Sequence, residues 1–194
     1  MRQQGATLAA ARAGPRAAGR LAVAGGLALV VAVALYTLGR AHTPDYTMGL
    51  LGWYGLAADR LKAQLGTAML GLALVQLTLA LWMYRRLPGA GAAPPAVPLL
   101  HRAGGATLFL LSLPVAVHCL LAYGVQLGGP RVAVDSLAGC FFYGAFAAKV
   151  LLVRSRRLPA WALPVAGGLL VTLIAVLWYS SALWYFDGSH LPLP

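Results

Sequence analysis

The chain has 194 residues, of which 60% are apolar and 10% are charged, and its formal net charge is +11. About a quarter of the residues of a soluble domain are charged. This chain has too few charged residues to cover a surface that faces water, which indicates a membrane protein. Nucleic-acid binding is excluded because the basic residues lie at the ends of apolar segments, where they contact lipid headgroups. Catalysis by a pair of carboxylates is disfavoured, because the sequence has only four carboxylate side chains: Asp45, Asp59, Asp135 and Asp187.

Five apolar segments follow a basic tail, residues 1–20, which is predicted to be disordered. Each segment reaches the ~17–25 residues that cross a bilayer as a helix. Continuous apolar runs without alternation favour helices over the strands of a membrane barrel. The predicted fold is therefore an all-α membrane domain, residues 21–186, and an outer C-terminal tail, residues 187–194. Its five spans are residues 21–39, 63–84, 103–126, 136–153 and 160–182.

The basic residues predict the orientation of the five spans. With the N-terminus inside, eleven lysines and arginines lie on the inner side, and four lie outside, namely Arg40, Arg60, Lys62 and Arg131. The positive-inside rule then predicts a multi-pass membrane protein with its C-terminus outside. The longest outer connection, residues 41–62, is amphipathic and is predicted to lie on the membrane surface as a short helix. The alternative is that it covers a site between the helices.

His118, in the third span, is the strongest candidate for a functional residue. The stretch from Ala103 to Pro130 contains no lysine, arginine, aspartate or glutamate. Ionisable groups inside a bilayer are functional candidates, because lipid tails offer them no partner. Eight residues separate His118 from Gln126, which places the imidazole ~12 Å below the outer boundary. Pro114 lies one turn earlier and predicts a kink.

Haem b is the cofactor that this position favours, because imidazole is a common axial ligand of haem iron. In this hypothesis His118 binds the metal, and the outer cations Arg131 and Lys62 lie near the haem propionates. The second axial ligand stays open. Met69 and Tyr143 match the depth of His118, and a single protein ligand is also possible. The other histidines, predicted in outer loops or at the inner end, do not match: His42, His190 and His101.

His101 lies at the inner end of the third span. It anchors the helix at the interface or, with Lys149, binds a second haem or an anion. His101 and His118 are seventeen residues apart, about 100° away from a shared helical face, which argues against two haems along one face.

A structural alternative assigns His118 a hydrogen bond to a hydroxyl on a neighbouring helix, with Thr67 or Tyr143 as acceptor. A proton or substrate relay is a third interpretation. Cys119 and Cys140 fall in the outer halves of consecutive spans. They are predicted to be free, buried thiols, although a disulfide is geometrically open to them.

Five runs of residues form a pattern in the last two thirds of the chain. They are HRAGG at 101–105, LPVAVHC at 113–119, GCFFYGAFAAK at 139–149, LPAWALP at 158–164 and WYSSALW at 178–184. This pattern resembles an actinobacterial family of uncharacterised multi-pass membrane proteins, which implies a location in the bacterial plasma membrane. It is distantly similar to cytochrome b561, which carries electrons across membranes on two bis-histidine haems. The resemblance implies a histidine before the serine that opens the fourth span. Here Asp135 precedes Ser136, so a bis-histidine site lacks one partner.

Two hypotheses of function follow. The first is a membrane-embedded b-type haem subunit, similar to cytochrome b561, which passes electrons to or from a redox or membrane protein partner. Such a protein is at most one component of a membrane oxidoreductase, since the sequence has no flavin, nicotinamide or iron–sulfur motif. The second is a non-enzymatic structural or assembly subunit of a membrane complex, without a cofactor. A transporter is disfavoured because the five spans show no inverted repeat.

Overall fold

The computed structural model describes residues 14–155 and 158–188. Within these residues the chain is helical, apart from its loops and one isolated bridge between Leu50 and Trp53. Five helices are long and apolar enough to cross a membrane. They are α1 (Pro15–Ala41), α2 (Gly55–Met83), α3 (Ala96–His118), α4 (Pro130–Arg154) and α5 (Ala162–Leu177), the last of which reaches that length together with the turns that continue it to Phe186. A π-turn, Cys119–Tyr123, continues α3. A second π-turn, Trp178–Leu183, and a last α-turn, Trp184–Phe186, continue α5.

The prediction of an all-α fold with five candidate membrane spans is confirmed. The helices extend beyond the predicted spans. Residues 15–20, predicted to belong to a disordered tail, form the first turns of α1, where Pro15 occupies a position that suits its fixed φ angle. The rest of that tail, residues 1–13, and residues 189–194 with His190 lie outside the described residues.

The prediction of a separate interfacial helix within residues 41–62 is wrong. Residues 55–62 are instead the first two turns of α2. The physical reason is continuity, because no glycine or proline interrupts the helix before the apolar run begins, so each further residue extends an existing helix.

The helices pack in the spatial order α1, α4, α5, α2, α3. Neighbours are antiparallel, since early residues of one meet late residues of the next, as Gly66 of α2 meets Ala182 beyond α5. The largest buried apolar cluster draws on α2 to α5 and contains Ala73, Leu108, Phe142, Leu170 and Ile174. Although α3 and α4 follow each other in the chain, their backbones approach closely at few points. A gap therefore lies between them.

The loop 42–54 lies at the end of the bundle that is predicted to face outside, which we call the outer end. It is fastened to the π-turn after α3, where Leu121 O accepts a hydrogen bond from His42 Nε2 at 2.9 Å and from Asp45 N at 3.1 Å. A π-turn shifts the backbone hydrogen bonds of a helix, and here it leaves the Leu121 carbonyl able to accept hydrogen bonds from the loop. The hydroxyl and amide of Thr47 donate to the Asp45 carboxylate, which lowers the pKa of that carboxyl.

Candidate functional site: a cavity between α3 and α4

A cavity of about 820 Å³ occupies the gap between α3 and α4. All five helices contribute to its walls, which are mainly apolar. This volume lies within the ~300–1,000 Å³ of sites for small molecules and cofactors. Seven polar side chains of the wall lie at the outer end of the cavity, in a set that we call the rim: Asp59, Lys62, Tyr123, Gln126, Arg131, Asp135 and Ser136.

One side of the rim is a three-residue network between the start of α2 and the end of the π-turn after α3. Lys62 Nζ lies 3.1 Å from Asp59 Oδ1, and the Tyr123 hydroxyl donates to the same oxygen at 2.8 Å. Lys62 Nζ also lies 4.6 Å from the centroid of the Tyr123 ring. The ammonium is therefore balanced by a carboxylate and an aromatic face, and this side carries little net charge.

The other side of the rim joins the start of α4 to the π-turn after α5. Arg131 Nη1 donates to Ser180 O at 2.8 Å, and its guanidinium stacks on the Trp184 ring at 3.8 Å. The Ser180 hydroxyl, which is fully buried, donates to Asp135 Oδ1 at 2.8 Å. Each side of the rim thus combines a cation and a carboxylate from one helix with an aromatic ring from another segment.

The middle of the cavity holds two of the predicted cofactor residues, Met69 and Tyr143. The Tyr143 hydroxyl donates to Ser112 Oγ at 2.9 Å, which joins α4 to α3 across the gap. Phe109 and Phe146 stack with their centroids 4.2 Å apart and form a second bridge between these helices. The wall at this depth offers flat aromatic surface and a flexible thioether to a ligand.

His118 lies beside the cavity and not on its wall. Its side chain is 3% exposed, and neither ring nitrogen has a hydrogen-bond partner in the described part of the chain. The ring packs edge-on against Tyr123, at 5.6 Å between centroids. The Gly49 backbone lies near the ring without completing a hydrogen bond. Burying an imidazole without hydrogen-bond partners costs free energy, so the His118 ring lowers the stability of the folded bundle in this arrangement.

The two hydroxyls predicted as partners of His118 bond elsewhere, which corrects that prediction. Thr67 donates to Ala63 O and accepts from Trp178 Nε1 at 3.0 Å. Tyr143 bonds to Ser112, as described above. Tyr143 lies on the cavity wall, whereas the imidazole of His118 lies behind that wall, so the rotation of α3 turns it away from α4.

His101 lies at the opposite end of α3, near Gln76 and Lys149. The structure therefore separates it from His118 by the length of the helix. Gly104 makes room for the Gln76 amide, which would contact a Cβ atom there. Gln76 Oε1 and His101 Nδ1 are buried without a hydrogen-bond partner among the described residues.

Within the described residues, the two cysteines form no metal site, and the pair Asp135 and Ser136 forms no catalytic site with His118. Cys119 and Cys140 are free thiols. Residues 14–155 and 158–188 hold no cluster of three or more histidine, cysteine or carboxylate side chains that suits a metal ion. Ser136 Oγ accepts from Gln126 N at 3.2 Å while Asp135 bonds to Ser180, so these two do not align with His118 for nucleophilic catalysis.

The structure brings four of the six predicted site residues to one cavity, namely Lys62, Met69, Arg131 and Tyr143, with His118 beside it and His101 at the far end. The sequence analysis missed Asp59, Tyr123 and Ser180. The spacing of Asp59 and Lys62, one helical turn apart at the edge of an apolar run, is a pattern that predicts an ion pair. For Ser180, the sequence signal that could have indicated a buried polar contact is its place in a pair of adjacent serines inside an apolar span.

Comparison with protein families matches residues 21–193 to a family of unknown function, DUF6529. Comparisons with curated proteins and with solved structures found no match. They therefore give no support to the similarity with cytochrome b561 or to an actinobacterial origin. The family match spans almost the whole bundle, including the cavity and both sides of its rim. The chain belongs to the DUF6529 family.

Proposed function

We propose that this chain is a membrane-embedded subunit that binds an amphipathic ligand in the cavity between α3 and α4. The observation that carries the proposal is the cavity itself, in which apolar walls lead to a charged rim at one end. An apolar ligand body supplies the packing contacts that the gap lacks. A polar head group bonds to the free donors of Lys62 and Arg131. We place the protein in the bacterial plasma membrane with its N-terminus inside, so that the rim lies in the outer leaflet.

Haem b, in an electron-transfer subunit similar to cytochrome b561, is the specific ligand that the sequence favours. The volume of the cavity and the two rim cations suit a porphyrin with propionates. The predicted iron ligands do not form a set, because the His118 ring lies behind the wall and the Tyr143 hydroxyl is bonded to Ser112, which leaves the Met69 thioether as the predicted ligand that lines the cavity.

The second candidate is a structural or assembly subunit without a cofactor. The packing of His118 against Tyr123 and beside the outer loop favours it. In that case His118 fixes the outer end of α3, and the bundle serves as a docking partner within a larger membrane complex.

Filling the middle of the cavity is expected to expel the ligand. Met69→Trp places an indole in the space of the ligand body, and a steric cost of about 1–3 kcal/mol weakens binding about 5- to 150-fold, which lowers the ligand content after purification. Leu74→Trp is the matched control, since Leu74 lies on the same helix and is 51% exposed on the outside of the bundle. Both variants and the wild type are purified in a mild detergent. Extraction with organic solvent and mass spectrometry then gives moles of ligand per mole of protein.

The optical spectrum of the same samples decides between haem and other ligands. A reduced-minus-oxidised Soret band that is lost in Met69→Trp identifies haem. A colourless wild type that retains a stoichiometric lipid-like molecule excludes haem and keeps the binding proposal. Equal ligand content in the two tryptophan variants, or no stoichiometric ligand in the wild type, contradicts the proposal.

A further inference from the structure

A second, smaller groove lies between α1 and α4 at the end of the bundle opposite the rim. Its volume is about 340 Å³, and its lining residues are Arg16, Gly19, Arg20, Val23, Leu151 and Ser155. The groove is independent of the cavity between α3 and α4, because it shares no lining residue with it.

The charges of the chain are segregated between the two ends of the bundle. All four aspartates lie at the outer end, since Asp45 is in the outer loop, Asp59 and Asp135 are on the rim, and Asp187 follows the last turn beyond α5. The sequence contains no glutamate. The cations at the opposite end therefore have no acidic side chain in this protein to balance them. In the described residues they are Arg16, Arg20, Arg85, Arg86, Arg102, Lys149 and Arg154.

The groove places two of these cations over an apolar floor. Arg16 and Arg20 are four residues apart in α1, so they lie on the same face of the helix. Gly19 adds no side chain between them and has open space around it. Val23, one turn further into the bilayer, and Leu151 of α4 line the apolar part. Paired guanidinium groups above aliphatic side chains match a phosphate joined to an acyl chain.

We propose that this groove binds the phosphate of an anionic phospholipid, with Arg16 and Arg20 on the headgroup and an acyl chain along Val23 and Leu151. The lipid supplies the negative charge that the protein lacks at this end. It also fills the boundary between α1 and α4, so that binding stabilises the attachment of α1 to the bundle.

The test measures the binding of phosphatidylglycerol to the full-length protein in detergent by native mass spectrometry and by the rise in Tm. Each arginine at an anionic surface contributes about fivefold in affinity, so Arg16→Gln/Arg20→Gln is expected to weaken binding about 25-fold. The matched control is Arg85→Gln/Arg86→Gln, which removes the same charge at the same end but outside the groove. That variant is expected to bind phosphatidylglycerol almost as the wild type does.

Two further samples identify the source of the phosphate. Phosphatidylcholine and inorganic phosphate are each added at the concentration used for phosphatidylglycerol, and neither is expected to raise Tm comparably. Equal losses in the two arginine variants would assign binding to the diffuse charge of this end and overturn the site. Full stabilisation by inorganic phosphate, or by phosphatidylcholine, would overturn the assignment to an anionic lipid. Equal Tm values of the variants in lipid-free detergent show that they fold.

Discussion

Gly144→Ala is expected to lower the free energy of unfolding by about 1–3 kcal/mol, which is the cost of overpacking a close contact. Gly144 lies where α4 crosses α1, and a Cβ atom there would overlap the carbonyl group of Ala28. Backbone cannot move aside as a flexible side chain does, so α1 must shift away from α4. Because α1 packs mainly against α4, this contact holds it to the bundle.

Gly139→Ala is the matched control on the same helix. A Cβ atom at Gly139 meets Leu177 Cδ2 at 4.0 Å, an ordinary contact. Alanine there gains helix propensity, so the free energy of unfolding is expected to stay constant or rise by up to about 1 kcal/mol. Both variants are unfolded with sodium dodecyl sulfate in mixed micelles and followed by circular dichroism. Equal midpoints for the two variants would contradict the tight crossing of α1 and α4.

The number and type of the helices could be predicted because hydropathy and length decide them before any packing occurs. The π-turns could not, since they depend on neighbours. The carbonyl of Leu121 bonds to His42 and Asp45 in the outer loop, and the carbonyl of Ser180 bonds to Arg131. Such partners lie 49 to 79 residues away in sequence, and their positions are set by the assembled bundle.

The position of His118 beside the cavity could have been anticipated from the helical repeat. The residues of α3 and its π-turn that line the cavity centre on the face that holds Ala116 and Leu120. His118 is two residues from each of them, about 160° around the helix axis, and so faces away from the cavity. Depth alone grouped His118 with Met69 and Tyr143, and the rotation about the helix axis separates them. The rim was harder to predict, because it joins side chains from the ends of four segments.

Replacing His118, whose imidazole lacks hydrogen-bond partners among the described residues, is expected to have the second large effect on the free energy of unfolding. In protein without a chromophore, His118→Leu is expected to raise the free energy of unfolding by about 1–3 kcal/mol, because it removes two buried nitrogens that lack hydrogen-bond partners among the described residues. Leucine also fills much of the same space beside Tyr123. The measurement is the midpoint of unfolding in mixed micelles, compared with the wild type.

His42→Leu is the control with the opposite expected sign. His42 Nε2 bonds to Leu121 O at 2.9 Å, so its replacement is expected to lower the free energy of unfolding by about 0.5–1.5 kcal/mol. If His118 instead binds haem iron, His118→Leu loses the Soret band and becomes less stable than the wild type, since a ligand that binds the folded state stabilises it. A chromophore-free His118→Leu variant of lowered stability would contradict the unsatisfied imidazole itself. The sign of the stability change in His118→Leu, read together with the Soret band, thus distinguishes a histidine that binds haem iron from a buried histidine without a ligand.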